Sequence, residues 1–202
     1  MEPEKVCTAL RRLASKGAVD GGLPPASLLS SRDRRAVLEA VDLIERAYPP
    51  SAPIGRDGGV HLVMSIDGAA RGNPGPAGIG VVIGQDHGSY RRELWEYIGE
   101  ATNNAAEYQA LILALKEAAR LQATGIRVRS DSELLVRQME GRYRVKHPRL
   151  MELHGHARNL VRAFRSFEIE HIRRELNQEA DALANRAIDQ ALDGSRRDEG
   201  RA

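Results

Sequence analysis

Apolar and polar residues change their spacing several times along the chain, and each change marks an element. The run VHLVMSIDGA (60–69) reads as a strand. AGIGVVIGQ (77–85) reads as a second, and SYRRELWEYIG (89–99) as a third with Tyr90, Leu94 and Tyr97 on its apolar side. Short, turn-rich connections predict that these three pair as an antiparallel meander. The spacing then lengthens to that of a helix in TNNAAEYQALILALKEAARLQ (102–122). IRVRSD (126–131) is a short strand, and SELLVRQMEG (132–141) and HPRLMELHGHARNLVRAF (147–164) are two helices. FEIEHIRRE (167–175) is a last strand and NQEADALANRAIDQAL (177–192) a closing helix. Strands separated by helices pair in parallel, so the order predicts an α/β fold: a five-stranded mixed sheet flanked by helices.

The pattern before residue 59 is different. EKVCTALRRLASKGAV has helical spacing at Val6, Leu10 and Leu13, and SSRDRRAVLEAVDLIERAY has it at Val37, Val41 and Ile44. PPSAPIGRDGG then interrupts the chain with Pro and Gly. Residues 1–58 are therefore expected to be a small helical extension and linker, 59–192 the main domain, and 193–202 a disordered tail.

Composition narrows the class. At 202 residues the chain suffices for one well-buried domain plus an extension. Its 42% hydrophobic and 29% charged residues are those of a globular protein. No apolar run approaches the roughly 18 residues of a membrane span. The opening MEPEKVCTAL has no signal-peptide core, and Cys7 is the sole cysteine, so a cytoplasmic location is expected. One cysteine rules out an intrachain disulfide and a cysteine-built zinc site. A net charge of +2 does not by itself announce nucleic acid, although acids gathered in one metal site would leave the remaining surface more basic.

Four carboxylates fall where their neighbours make them unusual. Asp67 ends the first strand, before Gly68, where a turn aspartate is also common. Glu107 shares its helix face with Leu111, Ala114, Leu115 and Ala118, which places an ion towards the sheet unless it snorkels to water. Asp131 stands where a strand meets a helix, a usual ligand position in open α/β sheets, and equally a capping position. Asp181 lies in the last helix on the face of Ala184 and Ile188, although a first-turn acid facing the helix dipole is the simpler account. Clustered carboxylates repel, so bringing them together calls for a cation. Oxygen ligands select Mg²⁺ or Mn²⁺, and two such ions about 4 Å apart suit phosphodiester cleavage.

With their surroundings, these residues resemble ribonuclease H type 1. IDGAARGNPGPAGIG, TNNAAEYQAL, SDSELLVRQM and NQEADALAN are similar, in order, to the four motifs of that family. The resemblance implies a ribonuclease H-like fold and hydrolysis of the RNA strand of RNA–DNA hybrids, leaving 5′-phosphate and 3′-hydroxyl ends. It implies that Asp67, Glu107, Asp131 and Asp181 hold two divalent ions around the scissile phosphate. It also implies hybrid contacts from Gly68, Asn73, Thr102, Asn103, Asn104, Glu133 and His147. Gly68, Gly72 and Gly75 are expected to leave room for a nucleic-acid backbone, and Thr102 or Asn103 also to cap the helix.

The chain departs from the best-known bacterial pattern. The basic, Trp-rich insertion between two helices is missing, and GRYRVKHPRL connects them with Arg142, Arg144, Lys146 and Arg149 as alternative phosphate contacts. Glu133 replaces a frequent Gln, and His147 stands where the family often has Asn. The catalytic-loop His is absent, since HIRRELNQEAD is too short for that loop. His171 falls in the last strand and is expected to pack there. Arg174 or Glu175 is left to assist proton transfer. A monomer is expected, with a protein partner a candidate role for residues 1–58. The rival readings are another nuclease of the superfamily and a non-catalytic hybrid-binding module.

Overall fold

The computed structural model describes residues 35–37, 40, 59–84 and 90–199, with side chains as far as Asp193. The chain divides into two units, Met1–Ser51 and Ala52–Ala202. In the first unit Arg35–Val37 and Ala40 are helical, within the second expected helix. The rest of the expected extension and linker lies outside the described residues.

The second unit follows the predicted order. The strands are β1 (His61–Ala70), β2 (Gly75–Gly84), β3 (Arg92–Ala101), β4 (Gly125–Ser130) and β5 (Ser166–His171). The helices are α1 (Asn103–Arg120), α2 (Glu133–Met139), α3 (Pro148–Val161) and α4 (Gln178–Glu199), with a 3₁₀ turn at Arg174–Leu176. The sheet order is β3-β2-β1-β4-β5. β2 pairs antiparallel with β1 and β3, whereas β4 pairs parallel with β1 and β5. α4 runs on through Glu199, where a disordered tail was expected from 193. Once its first turns are packed, each added residue extends the helix without a new nucleation cost.

Alternation along β2 shows how the two faces are filled. Ala77, Ile79, Val81 and Ile83 join Leu62, Met64 and Ile66 of β1 under α1. Val82 points the other way, to Ala180, Leu183 and Trp95. The positions between are Gly78 and Gly80, where an added Cβ would lie 2.4 Å from the Ala184 oxygen and 2.2 Å from the Ala180 oxygen. α4 therefore rests directly on the β2 backbone. Arg186 stacks on Trp95, 4.2 Å from the ring centre, and secures the same helix to β3.

A bulge leaves Ile98 as the extra residue, with Ala77 opposite Gly99 and Gly78 opposite Tyr97. Tyr90, Leu94 and Ile98 pack on the main core, but Tyr97 is exposed rather than on the apolar side. Beyond α4 the sheet face is polar: Arg127 pairs with Glu168 at 3.0 Å and Arg129 with Glu170 at 2.8 Å across β4 and β5. No described helix is long and apolar enough to cross a membrane.

Candidate active site

Two buried glutamates on α1 have opposite surroundings. Glu117 is held by Arg92 Nε at 3.2 Å and by Arg120 Nη2 at 2.6 Å, so its charge is neutralised where it lies. Glu107, 5% exposed, has no basic neighbour of that kind among the described residues. It accepts from the Gly68 main-chain N–H and faces Asp67 and Asp131, and its Oε2 is buried with no hydrogen-bond partner. A buried, unpartnered carboxylate oxygen is costly.

The strands explain how the acids meet. β1 and β4 are adjacent and parallel, so Asp67 and, just past Ser130, Asp131 come to the same level of the sheet, although β1 does not end at Asp67 as expected but runs on, paired with β2, to Ala70. α1 starts at that level, because Thr102 caps it by accepting from the Ala105 N–H at 3.3 Å. One oxygen from each of Asp67, Glu107 and Asp131 falls within 4.8 Å of the others. Burial pushes the Asp67 carboxyl up to about 7, helped by the charges of Asp131 and Asp181. Burial also holds the Glu107 carboxyl well above the usual range, with Asp67 and Asp131 adding to it. Three converging carboxylates, one with an orphaned oxygen, are a fitting donor set for a hard divalent cation.

Asp181 stands at the rim and not in that compact set. It lies in the first turn of α4, where its Oδ1 accepts from Arg174 Nη2 at 3.1 Å and its Oδ2 from Asn185 Nδ2 at 3.2 Å. Arg174 is the local cation; its bond to Asp181 raises the guanidinium pKa further.

Sequence reasoning missed Asn177, which is 1% exposed. Its Nδ2 donates to the Ile66 carbonyl and to Asp131 Oδ1, both at 2.9 Å. An asparagine just before a helix reads as an ordinary cap, so only its place inside the NQEADALAN motif pointed to it.

The other candidates surround the acids less directly. The vacancy at Gly68 is filled by the chain itself, for a Cβ there would lie 2.2 Å from the Glu107 nitrogen. At Gly75 it would lie 2.1 Å from the Arg71 oxygen, so these two glycines serve internal packing and not approach by a nucleic acid. Gly72 has φ +104°, which a turn glycine tolerates. Asn73 Oδ1 accepts from the Asn103 N–H at 3.3 Å, tying the β1–β2 turn to the start of α1. Asn103 and Asn104 are exposed. Glu133 begins α2, 3.5 Å from Arg137 Nε, and exposed His147 precedes α3 without a capping bond. His171 ends β5 but is exposed and not packed, because β5 is an edge strand.

The α2–α3 connector is basic. Arg142 pairs with Glu140 and Arg149 with Glu152, while Arg144 and Lys146 make no ion pair among the described residues. A groove of about 400 Å³ lies beside it, lined by Gln138, Tyr143, Arg144, Met151, His154 and Arg158.

Residues 65–187 match the reverse transcriptase-like family. Ribonuclease HI of Halobacterium salinarum is 40% identical over 162 residues, which are 79% of this chain and 81% of that protein. The chain belongs to the ribonuclease HI family. A bifunctional protein of Mycobacterium tuberculosis, Rv2228c, is 46% identical over 140 residues, or 69% of this chain. That match spans only 38% of the mycobacterial protein's length. Its N-terminal RNase H domain, solved as a fusion with maltose-binding protein, aligns with TM-score 0.62 over 64% of this chain and 99% of that one, at 46% identity. LC11-RNase H1, solved in complex with an RNA/DNA hybrid, aligns with TM-score 0.61 over 65% of this chain and 99% of that one, at 47% identity. The family match at residues 65–187 spans Asp67, Glu107, Asp131 and Asp181.

Proposed function

We propose that this chain is a ribonuclease H that hydrolyses the RNA strand of RNA–DNA hybrids and leaves 5′-phosphate and 3′-hydroxyl ends. The observation that carries the reading is the buried meeting of Asp67, Glu107 and Asp131, with Glu107 Oε2 unpartnered. The related LC11 enzyme with its bound hybrid supports the substrate class.

Asp67, Glu107 and Asp131 would hold divalent ions, Mg²⁺ or Mn²⁺, with Asp181 as the fourth ligand once it leaves Arg174. When bound, a pair of such ions supplies an activated water and stabilises the leaving oxygen. The protein's own part is placement. β1 and the end of β4 fix two acids on a rigid sheet, which holds a site better than loops do. Burial keeps their oxygens away from bulk water. Asn73, Asn103 and Asn104 take up the 2′-hydroxyls and base edges that distinguish RNA. Thr102 holds a DNA-strand phosphate, and Glu133 and His147 border the same strand. Arg144 and Lys146, which have no acidic partner among the described residues, extend the phosphate track. The single cysteine is compatible with a reducing compartment, and we take the enzyme as cytoplasmic; a monomer is proposed alongside it.

The test is cleavage of labelled substrates. The full chain is incubated with RNA–DNA hybrid, duplex RNA, single-stranded RNA and duplex DNA, each with Mg²⁺, Mn²⁺ or EDTA. Metal-dependent cleavage of the hybrid alone is expected, and Asp131→Asn should abolish it in a folded protein. Cleavage of duplex DNA would instead identify a different nuclease, and hybrid binding without turnover a binding module.

A further inference from the structure

We infer that Asn177 is a positioning residue for the acidic site, setting the orientation of Asp131 and locking it to the strand that carries Asp67. The inference rests on the metal-binding reading proposed above.

One residue joins three of the four motifs. Asn177 Nδ2 spends one hydrogen on the Ile66 carbonyl, the residue before Asp67, and the other on Asp131 Oδ1, each at 2.9 Å. The Asn177 carbonyl accepts from the Asp181 N–H at 3.1 Å and so begins the turn that presents the fourth acid. A carboxamide carries two N–H donors in one plane. With one fixed on rigid β1 backbone, the direction of the other is set. Asp131 lies just beyond β4 and is only half-buried. The bond to Asn177 ties one of its oxygens and leaves the other for Asp67 or for a cation.

The choice of an amide fits this task. A lysine or arginine here would also bond Asp131, but it would cancel charge that a divalent ion needs. Asparagine orients the carboxylate and leaves its full negative charge in place. Its Oδ1 is buried without a partner, a cost that a residue serving only to join α4 to the sheet need not carry. Partners that orient metal-binding carboxylates typically change metal affinity or activity by about 10- to 100-fold when removed.

The experiment measures Mn²⁺ binding by titration calorimetry on the full chain without hybrid, for the natural protein, Asn177→Ala and Asn177→Asp. Circular dichroism checks that each is folded. Both variants should bind Mn²⁺ about 10- to 100-fold more weakly. Hybrid cleavage should need correspondingly more Mg²⁺ for half-maximal rate, with the KM for hybrid unchanged. Asn177→Asp keeps the side-chain shape and remains informative if the alanine variant fails to fold. It also opposes the effect of charge alone, since an added carboxylate attracts cations. Unchanged or tighter Mn²⁺ binding by a folded Asn177→Asp protein would overturn the inference, as would a lower melting temperature with unaltered metal affinity. If the natural protein itself binds no Mn²⁺, the metal-dependent function fails and this inference falls with it.

Discussion

Replacing Asp67 with asparagine should stabilise the protein in metal-free buffer, by an amount that grows with pH. The carboxyl is raised from an ordinary 3.8 to about 7 in the folded state, first by burial and then by Asp131 and Asp181. The folded protein thus prefers neutral Asp67, while the unfolded chain ionises it freely. Below pH 4 both states hold the proton and the group costs nothing. Between pH 4 and 7 the unfolded state releases it first, so stability falls, and above about 7 the cost is fully present. A displacement of this size corresponds to about 4 kcal/mol. For a domain stable by roughly 5–15 kcal/mol that is a large share, equivalent to about 10 °C in Tm. Asparagine keeps the shape and carries no charge. Urea unfolding in EDTA, followed by circular dichroism across this pH range, should show the two proteins converging at acid pH and the variant pulling ahead towards pH 8. Adding Mg²⁺ should narrow the gap, because a ligand of the folded state stabilises it. A stability difference that does not change with pH, or a variant weaker at pH 8, would refute the reasoning.

Gly68→Ala should destabilise the protein by about 3 kcal/mol, read as a lower Tm, because its Cβ would meet α1 backbone that cannot rotate aside. Cleavage should fall with it, since Asp67 and Glu107 adjoin the contact. The double variant Arg144→Ala, Lys146→Ala should weaken hybrid binding and flatten its dependence on salt by about two ions, leaving the rate at saturating hybrid intact. An unchanged salt slope would remove these two cations from the phosphate track.

Much of the fold was legible because each segment has one dominant period. β1 and β2 alternate, α1 repeats its apolar residues every three or four positions, and the β4 run ends close to where its strand does, whereas β5 stops at His171, short of the expected run to 175, before the 3₁₀ turn at Arg174–Leu176. Tyr97 was misplaced because it stands an odd number of positions from Tyr90 and Leu94: strict alternation sends it to the face of Trp95, while Leu94 and Ile98 share the core side. The acids were legible as charges in the wrong company. Their spacing was not, because convergence depends on which strands are neighbours. Asp181 shows the limit: its helix position puts it near the buried face, but Arg174, from a separate 3₁₀ turn, holds its carboxylate at the rim. The glycines misled in a similar way. An open position in a turn motif suggests room for a ligand, while the structure fills Gly68 and Gly75 with its own chain.

The missing side chains of Gly78 and Gly80 bear on catalysis even though neither residue touches an acid. They let the carbonyls of Ala180 and Ala184 settle into notches in the sheet, and so set the height at which α4 begins. Asn177 and Asp181 hang from that end of the helix. A methyl group at either notch would act as a shim, lifting the whole rod and drawing both residues out of alignment. The precision of the acidic centre is therefore established partly on the opposite surface of the sheet from α1, by two hydrogen atoms.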